Sequence, residues 1–187
     1  ADARERVRSR LSAWLDGQVG AVLGALGRLE AAQLDGAARG IAFQLVEALG
    51  AVPRRALAPQ LAALAPAGRA RLRRLGVRFG EVTVFVPATL KPRAVALKCL
   101  LWSVHRGIPN APPPPPGLVS VAVDERLGEP YYAAAGFCVC GGRAVRVDMI
   151  EKLAEAARIR ARAGPFPSDH ELLSLAGCGR EEFAAVM

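Results

Sequence analysis

Arg69, Arg71, Arg73, Arg74 and Arg78 crowd into ten residues, RARLRRLGVR, and Lys91, Arg93 and Lys98 follow in KPRAVALK. Guanidinium groups at this density suit bidentate contact with phosphate oxygens, and each phosphate neutralised releases counterions. The chain of 187 residues has a formal net charge of +8, but the charge is unevenly placed. Residues 51–110 hold nine Arg and two Lys against Glu81 alone, net +10, while residues 1–50 are neutral and residues 111–187 are net −2. Most charge runs are simply solvated helix faces. A face built only for solubility interleaves both signs, and this one does not. The eight side chains are therefore the candidate phosphate contacts, with Arg54 and Arg55 nearby.

Other chemistries find thinner support. Cys138 and Cys140 flank Val139 on an expected strand, and their side chains are expected on opposite faces. A redox dithiol usually has two intervening residues, and a structural zinc site needs a second ligand pair. Cys99, Cys178, His105 and His170 supply no such pair, so buried structural thiols are the better reading and a thiol oxidoreductase a distant one. Two histidines in the whole chain, one near a helix end and one in a capping sequence, imply no catalytic triad. The glycine-rich stretches lack the Lys-Ser/Thr signature of a phosphate-binding loop. No catalytic site, metal site or ATP site is expected in this segment.

The positioning elements follow from apolar period and punctuation. A helix is expected over 3–33, where Val7, Leu11, Trp14, Leu15, Val22, Leu26 and Leu29 recur near helical spacing. Its glycines at 17, 20, 24 and 27 lower helix propensity, or else admit close approach of a neighbouring helix. A second helix spans 36–49 and ends at Gly50, and two short helices occupy 54–75 with a break at Pro66-Ala67-Gly68. The period then changes. Val77, Phe79, Val82, Val84 and Val86 suggest a hairpin turning at Gly80-Glu81. Lys91-Pro92 opens a helix to Arg106, stopped by Gly107. On it Lys91, Lys98 and His105 are seven residues apart and share one stripe, and Trp102 reads as core rather than as a base-stacking platform.

Residues 109–117, PNAPPPPPG, read as a stiff proline-rich spacer. Beyond it are a strand at 118–123, a short helix at 129–135, a strand pair at 137–147 turning at Gly141-Gly142, and a helix at 148–163. Ser168 and Glu171 match a capping box that opens a terminal helix–turn–helix. Its second helix offers Arg180 followed by Glu181 and Glu182, which suits packing, or the remnant of a winged helix, better than reading of a major groove. The sum is a helix-dominated α+β fold, a helical bundle with small β-hairpins. It has a helical part at 1–108 carrying the hairpin and basic segment, a linker at 109–117, and a small α+β part at 118–187, the two able to pack as one unit.

Hydrophobic residues make up 52% of the chain and aromatics 5%, which favours helices with small residues at their contacts and argues against disorder. No apolar run approaches the ~20 residues of a membrane span. The irregular cysteines point to a reducing cytoplasm. The chain starts at Ala1 and ends at Met187 inside a helical pattern, as a piece of a longer protein would.

Four segments together, ARGIAFQLVEALG, LRRLGVRFGEVTVFVPATLKPRAVALKCLLW, GGRAVRVDMIEKLA and ELLSLAGCGREEFAAVM, resemble the C-terminal region of bacterial helicase-like proteins related to the mitochondrial RNA-degradosome helicase. The resemblance covers roughly residues 5–187. Thr89 departs from it, since relatives tend to have leucine there. It implies a non-catalytic accessory domain of an ATP-dependent superfamily 2 helicase, a hydrolase whose ATP and Mg2+ sites belong to a core upstream. The implied partners are single-stranded RNA or DNA and that helicase core, with no membrane. The competing reading is a structural module that docks on the core or on a partner protein.

Overall fold

The computed structural model describes residues 2–108 and 111–186. The first helix, α1 (Ala3–Glu30), begins to bury side chains only at Leu23, where the backbone leaves helical geometry (φ −106°, ψ 19°). Its preceding turns project, leaving Val7, Leu11, Trp14 and Leu15 exposed. A Cβ built at Gly17, Gly20 or Gly27 would meet nothing within 4 Å, so these glycines do not mark a close helix crossing. Beyond the bend, Leu26 and Leu29 pack on α2 (Gly36–Glu47), which buries Ala38, Ile41, Ala42 and Leu45 at helical spacing. The break between α3 (Ala58–Ala62) and α4 (Pro66–Arg74) falls just before Pro66, which opens α4 at a position where its missing N–H costs nothing. Leu57 and Leu72 complete this core from below.

A three-stranded antiparallel sheet closes the first core, with strands β1 (Ala51–Pro53), β2 (Arg78–Phe79) and β3 (Thr83–Phe85) in the order β1-β3-β2. The β2–β3 hairpin pairs Phe79 with Val84, and Gly80 donates its N–H to the Thr83 carbonyl at 2.9 Å. The tight turn is thus centred on Glu81-Val82, one residue later than Gly80-Glu81. Thr89 is buried, its hydroxyl donating to the Val86 carbonyl at 2.8 Å. Next comes α5 (Pro92–Arg106), which stops at Gly107 in the left-handed region (φ 66°), where a side chain would be strained.

The second core joins α5 to the C-terminal half of the chain. Val95 and Cys99 pack with Tyr131, Tyr132 and Ala135 of α6 (Gly128–Ala135) and with Phe137. Trp102 meets Tyr131 edge-on at 5.3 Å between ring centroids, in keeping with its reading as core. Of the proline run, Pro109 and Asn110 lie outside the described residues. Pro113–Pro116 line a cavity of about 350 Å3 against Pro92, Arg93 and Val95, and the Tyr131 hydroxyl donates to the Pro112 carbonyl. These prolines lie along α5 instead of holding two bodies apart as a spacer.

The second sheet is also antiparallel, with β4 (Ser120–Ala122), β5 (Phe137–Cys140) and β6 (Arg143–Arg146) in the order β4-β6-β5. Val145, Ile150, Leu153, Leu172, Ala176 and Phe183 form a third core beneath α7 (Val147–Ala161), α8 (His170–Ala176) and α9 (Arg180–Val186). The α8 cap is Asp169, whose carboxylate accepts the Leu172 N–H at 3.0 Å, and not Ser168. Helix α8 starts one residue later than a Ser168 cap requires. Nine α-helices with two small sheets, among the described residues, make the fold α+β and helix-dominated.

Candidate nucleic-acid interface

Helix α4 carries its arginines on two faces. Arg69 and Arg73, one turn apart, lean toward Phe79, with guanidinium carbons 4.6 and 5.9 Å from the ring centroid. Arg71 instead lines a separate cavity beside Leu34 and Asp35. Arg74 is exposed. Strand β2 presents Arg78 outward, and Lys91 sits exposed at the N-cap of α5. Arg73, Arg78 and Lys91 converge on an open cleft of about 790 Å3, floored by Phe79, Phe85 and Leu90 and walled on the far side by α7. Arg93 faces the proline-lined cavity.

The charges in this cleft divide into tied and free. Arg146 holds Asp148 through two hydrogen bonds, at 2.6 and 3.0 Å. The Glu151 carboxylate accepts the backbone N–H groups of Glu81 at 2.6 Å, Val82 at 3.1 Å and Thr83 at 2.6 Å. Among the described residues, Arg73, Arg78, Lys91 and Lys152 have no ion-pair partner. Glu155 is the one acid of the lining left without a hydrogen bond or ion pair among them. The cleft is therefore a shallow cationic surface with an apolar, partly aromatic floor. Sequence reasoning missed Lys152 and Glu151, which come from a segment with a net negative charge and carry no local signal.

Lys98 does not belong to this set. It is fully buried, and its Nζ has no hydrogen-bond partner among the described residues. A Cβ added to Gly136 would stand 3.5 Å from that nitrogen. Burial pulls its pKa down from 10.5 to about 8, against a smaller upward pull from Cys99. The seven-residue stripe is real as a face of α5, but α6 and the turn at Gly136 cover it at Lys98, while His105 lies beyond them and is exposed.

The cysteines correct a second expectation. Residues i and i+2 of a strand point to the same face, so Cys138 and Cys140 line one wall together. That wall belongs to a second cleft, about 760 Å3, shared with Arg54, Arg55, Thr83 and Ile150. Burial pushes all four thiols above their ordinary pKa, so thiolate is scarce at neutral pH. Among the described residues no three His, Cys, Asp or Glu side chains gather closely enough to hold a metal ion. No helix there is long and apolar enough to cross a membrane. No protein-family model, curated protein or solved structure matches the chain.

Proposed function

We propose that the chain is a non-catalytic accessory module that contacts single-stranded nucleic acid along the Arg73–Arg78–Lys91–Lys152 cleft. One observation carries this reading: four cations without ion-pair partners among the described residues surround an apolar floor that includes Phe79. Phosphates fit the rim, and a base has an apolar surface to rest on, as single-strand binders combine the two. Arg69 lies over the Phe79 ring, and Arg74 extends the positive field at the end of α4. Arg71 and Arg93 lie on neighbouring surfaces and give long-range attraction. The parent reading, an ATP-dependent superfamily 2 helicase of the bacterial cytoplasm with ATP and Mg2+ in its core, rests on the sequence resemblance alone.

The test is binding of fluorescent single-stranded RNA and DNA across a salt series. Four phosphate contacts give a slope of log K against log salt of about −3, at about −0.7 per contact for single strands. Reversing Arg78 and Lys91 to Glu should remove at least half of that slope, and the exposure of both side chains leaves the fold intact. A second reading, a module that docks on the helicase core or another protein, is favoured by the exposed stripe of Val7, Leu11, Trp14 and Leu15 on α1. A chain that ignores both oligonucleotides at low salt yet binds the separately produced core would move the assignment to docking.

A further inference from the structure

The hairpin turn between β2 and β3 aims three successive backbone N–H groups, those of Glu81, Val82 and Thr83, at one point. The Glu151 carboxylate fills that point, 70 residues away in sequence from Glu81. Gly80 makes the approach feasible, since a Cβ there would land on the carboxyl group. Arg54 holds the turn from the other side, its Nη1 donating to the Gly80 carbonyl at 2.9 Å. Consecutive amides converging on an anion form a nest, a backbone device that accepts phosphate as readily as carboxylate. Gly80 and Glu151 line the cleft that Arg73, Arg78, Lys91 and Lys152 surround, while Glu81, Val82 and Thr83 line the neighbouring cleft beside Arg54 and Arg55, so the amides stand at the boundary of the two.

We propose that the 81–83 amides are a phosphate-binding nest at the edge of the cleft, occupied in the free protein by Glu151 as a tethered stand-in and taken over by a backbone phosphate of a bound strand. The nest itself follows from the turn geometry; its use by a strand rests on the cleft reading above. A carboxylate tethered to the same chain has a high effective concentration, so free phosphate competes poorly with it. A strand already held on Arg73, Arg78 and Lys91 is tethered too, and its next phosphate competes on similar terms. Phosphate also brings more acceptor oxygens to the three donors than a carboxylate does. The exchange need not separate α7 from the hairpin. The apolar contact of Phe85 with Val147 at the start of α7 remains in place, as does the hairpin's contact with β5 through the Thr83 hydroxyl and the Cys138 thiol, 3.7 Å apart.

The experiment tracks the amide resonances of Glu81, Val82 and Thr83 in two titrations. In the first, Glu151→Ala receives inorganic phosphate at constant ionic strength. A saturable shift of those three amides, absent from the wild type over the same range, is expected. No such shift in the variant overturns the nest. Should Glu151→Ala not fold, Glu151→Ser, whose hydroxyl is too short to reach the amides, is read in the same way. In the second, the wild type receives a ten-nucleotide oligouridine. The same amides should move in step with binding, and Glu151→Ala should bind more tightly, since no carboxylate has to be displaced. A strand that binds while the three amides stay still overturns the displacement and leaves the cleft standing. Failure of any strand to bind sinks the cleft and the displacement together, while the nest stands or falls by the phosphate titration.

Discussion

Replacing Lys98 with methionine should stabilise the protein at neutral pH, although it deletes a residue from the centre of the fold. Methionine retains most of the aliphatic stem and removes an amine that is fully buried without a hydrogen bond among the described residues. The pKa falls from 10.5 in the unfolded chain to about 8 in the fold. A drop of about 2.5, at 1.36 kcal/mol each, makes the charged amine cost about 3 kcal/mol. Between pH 8 and 10.5 the unfolded chain holds a proton that the folded chain has lost, so stability rises with pH through that window. The penalty is complete below about pH 8 and gone above 10.5. The buried thiols act in the opposite sense. Their folded pKa values are raised, so their contribution weakens the fold as pH climbs past 9. Cys138 and Cys140 are not coupled to Lys98 and cancel in the difference, whereas Cys99, whose thiol Lys98 pulls downward, adds a small change of its own at high pH. Urea unfolding of wild type and Lys98→Met, monitored by circular dichroism from pH 6 to 11, reads that difference directly. It should be about 3 kcal/mol in favour of the variant at pH 7 and shrink toward zero by pH 11. A difference that does not change with pH, or a variant less stable than wild type at pH 7, would refute the reasoning.

Two further outcomes are expected from stability measurements. Glu151→Ala removes three charge-assisted hydrogen bonds, two of them at exposed amides that water can satisfy, and should cost about 2 kcal/mol. Gly80→Ala expels the same carboxylate and should cost a similar amount. Since both break one interaction, the double variant should be scarcely worse than either single one, and a fully additive cycle would argue that the contact contributes little. Asp169→Ala should lower the melting temperature by removing the α8 cap, whereas Ser168→Ala should leave it almost unchanged.

Local punctuation carried much of the architecture. Pro92 and Gly107 bracket α5, and the alternating valines disclose the hairpin, because both signals act over a few residues. Strand β1 was not legible. It is three residues long, ends in Pro53 and gains its partner β3 only through a contact some thirty residues away. The arginine cluster was visible as charge, but its division between the cleft and two neighbouring surfaces depends on how α4 rolls against Phe79. Lys152 and Glu151 reach the cleft because α7 packs across the hairpin, a tertiary fact that no window of sequence contains. Lys98 misled for the same reason: a basic residue on a basic helix gives no local sign of what covers it. The two cysteines were readable from period alone, since alternate residues of a strand share a face.

The projecting part of α1 has a consequence for how the molecule breathes. Residues 2–18 touch little beyond their own helix, so the only thing keeping their amides closed is the ladder of the helix itself. An isolated helical stretch of that length is marginal in water. Its amides should exchange with deuterium in a gradient, almost unprotected near Arg4 and slower toward the bend at Leu23. Past it, Leu26 and Leu29 should open only when the whole core does. One continuous helix thus spans the full range of local opening energies, and the bend, not either end, divides the part that frays from the part that unfolds with the domain.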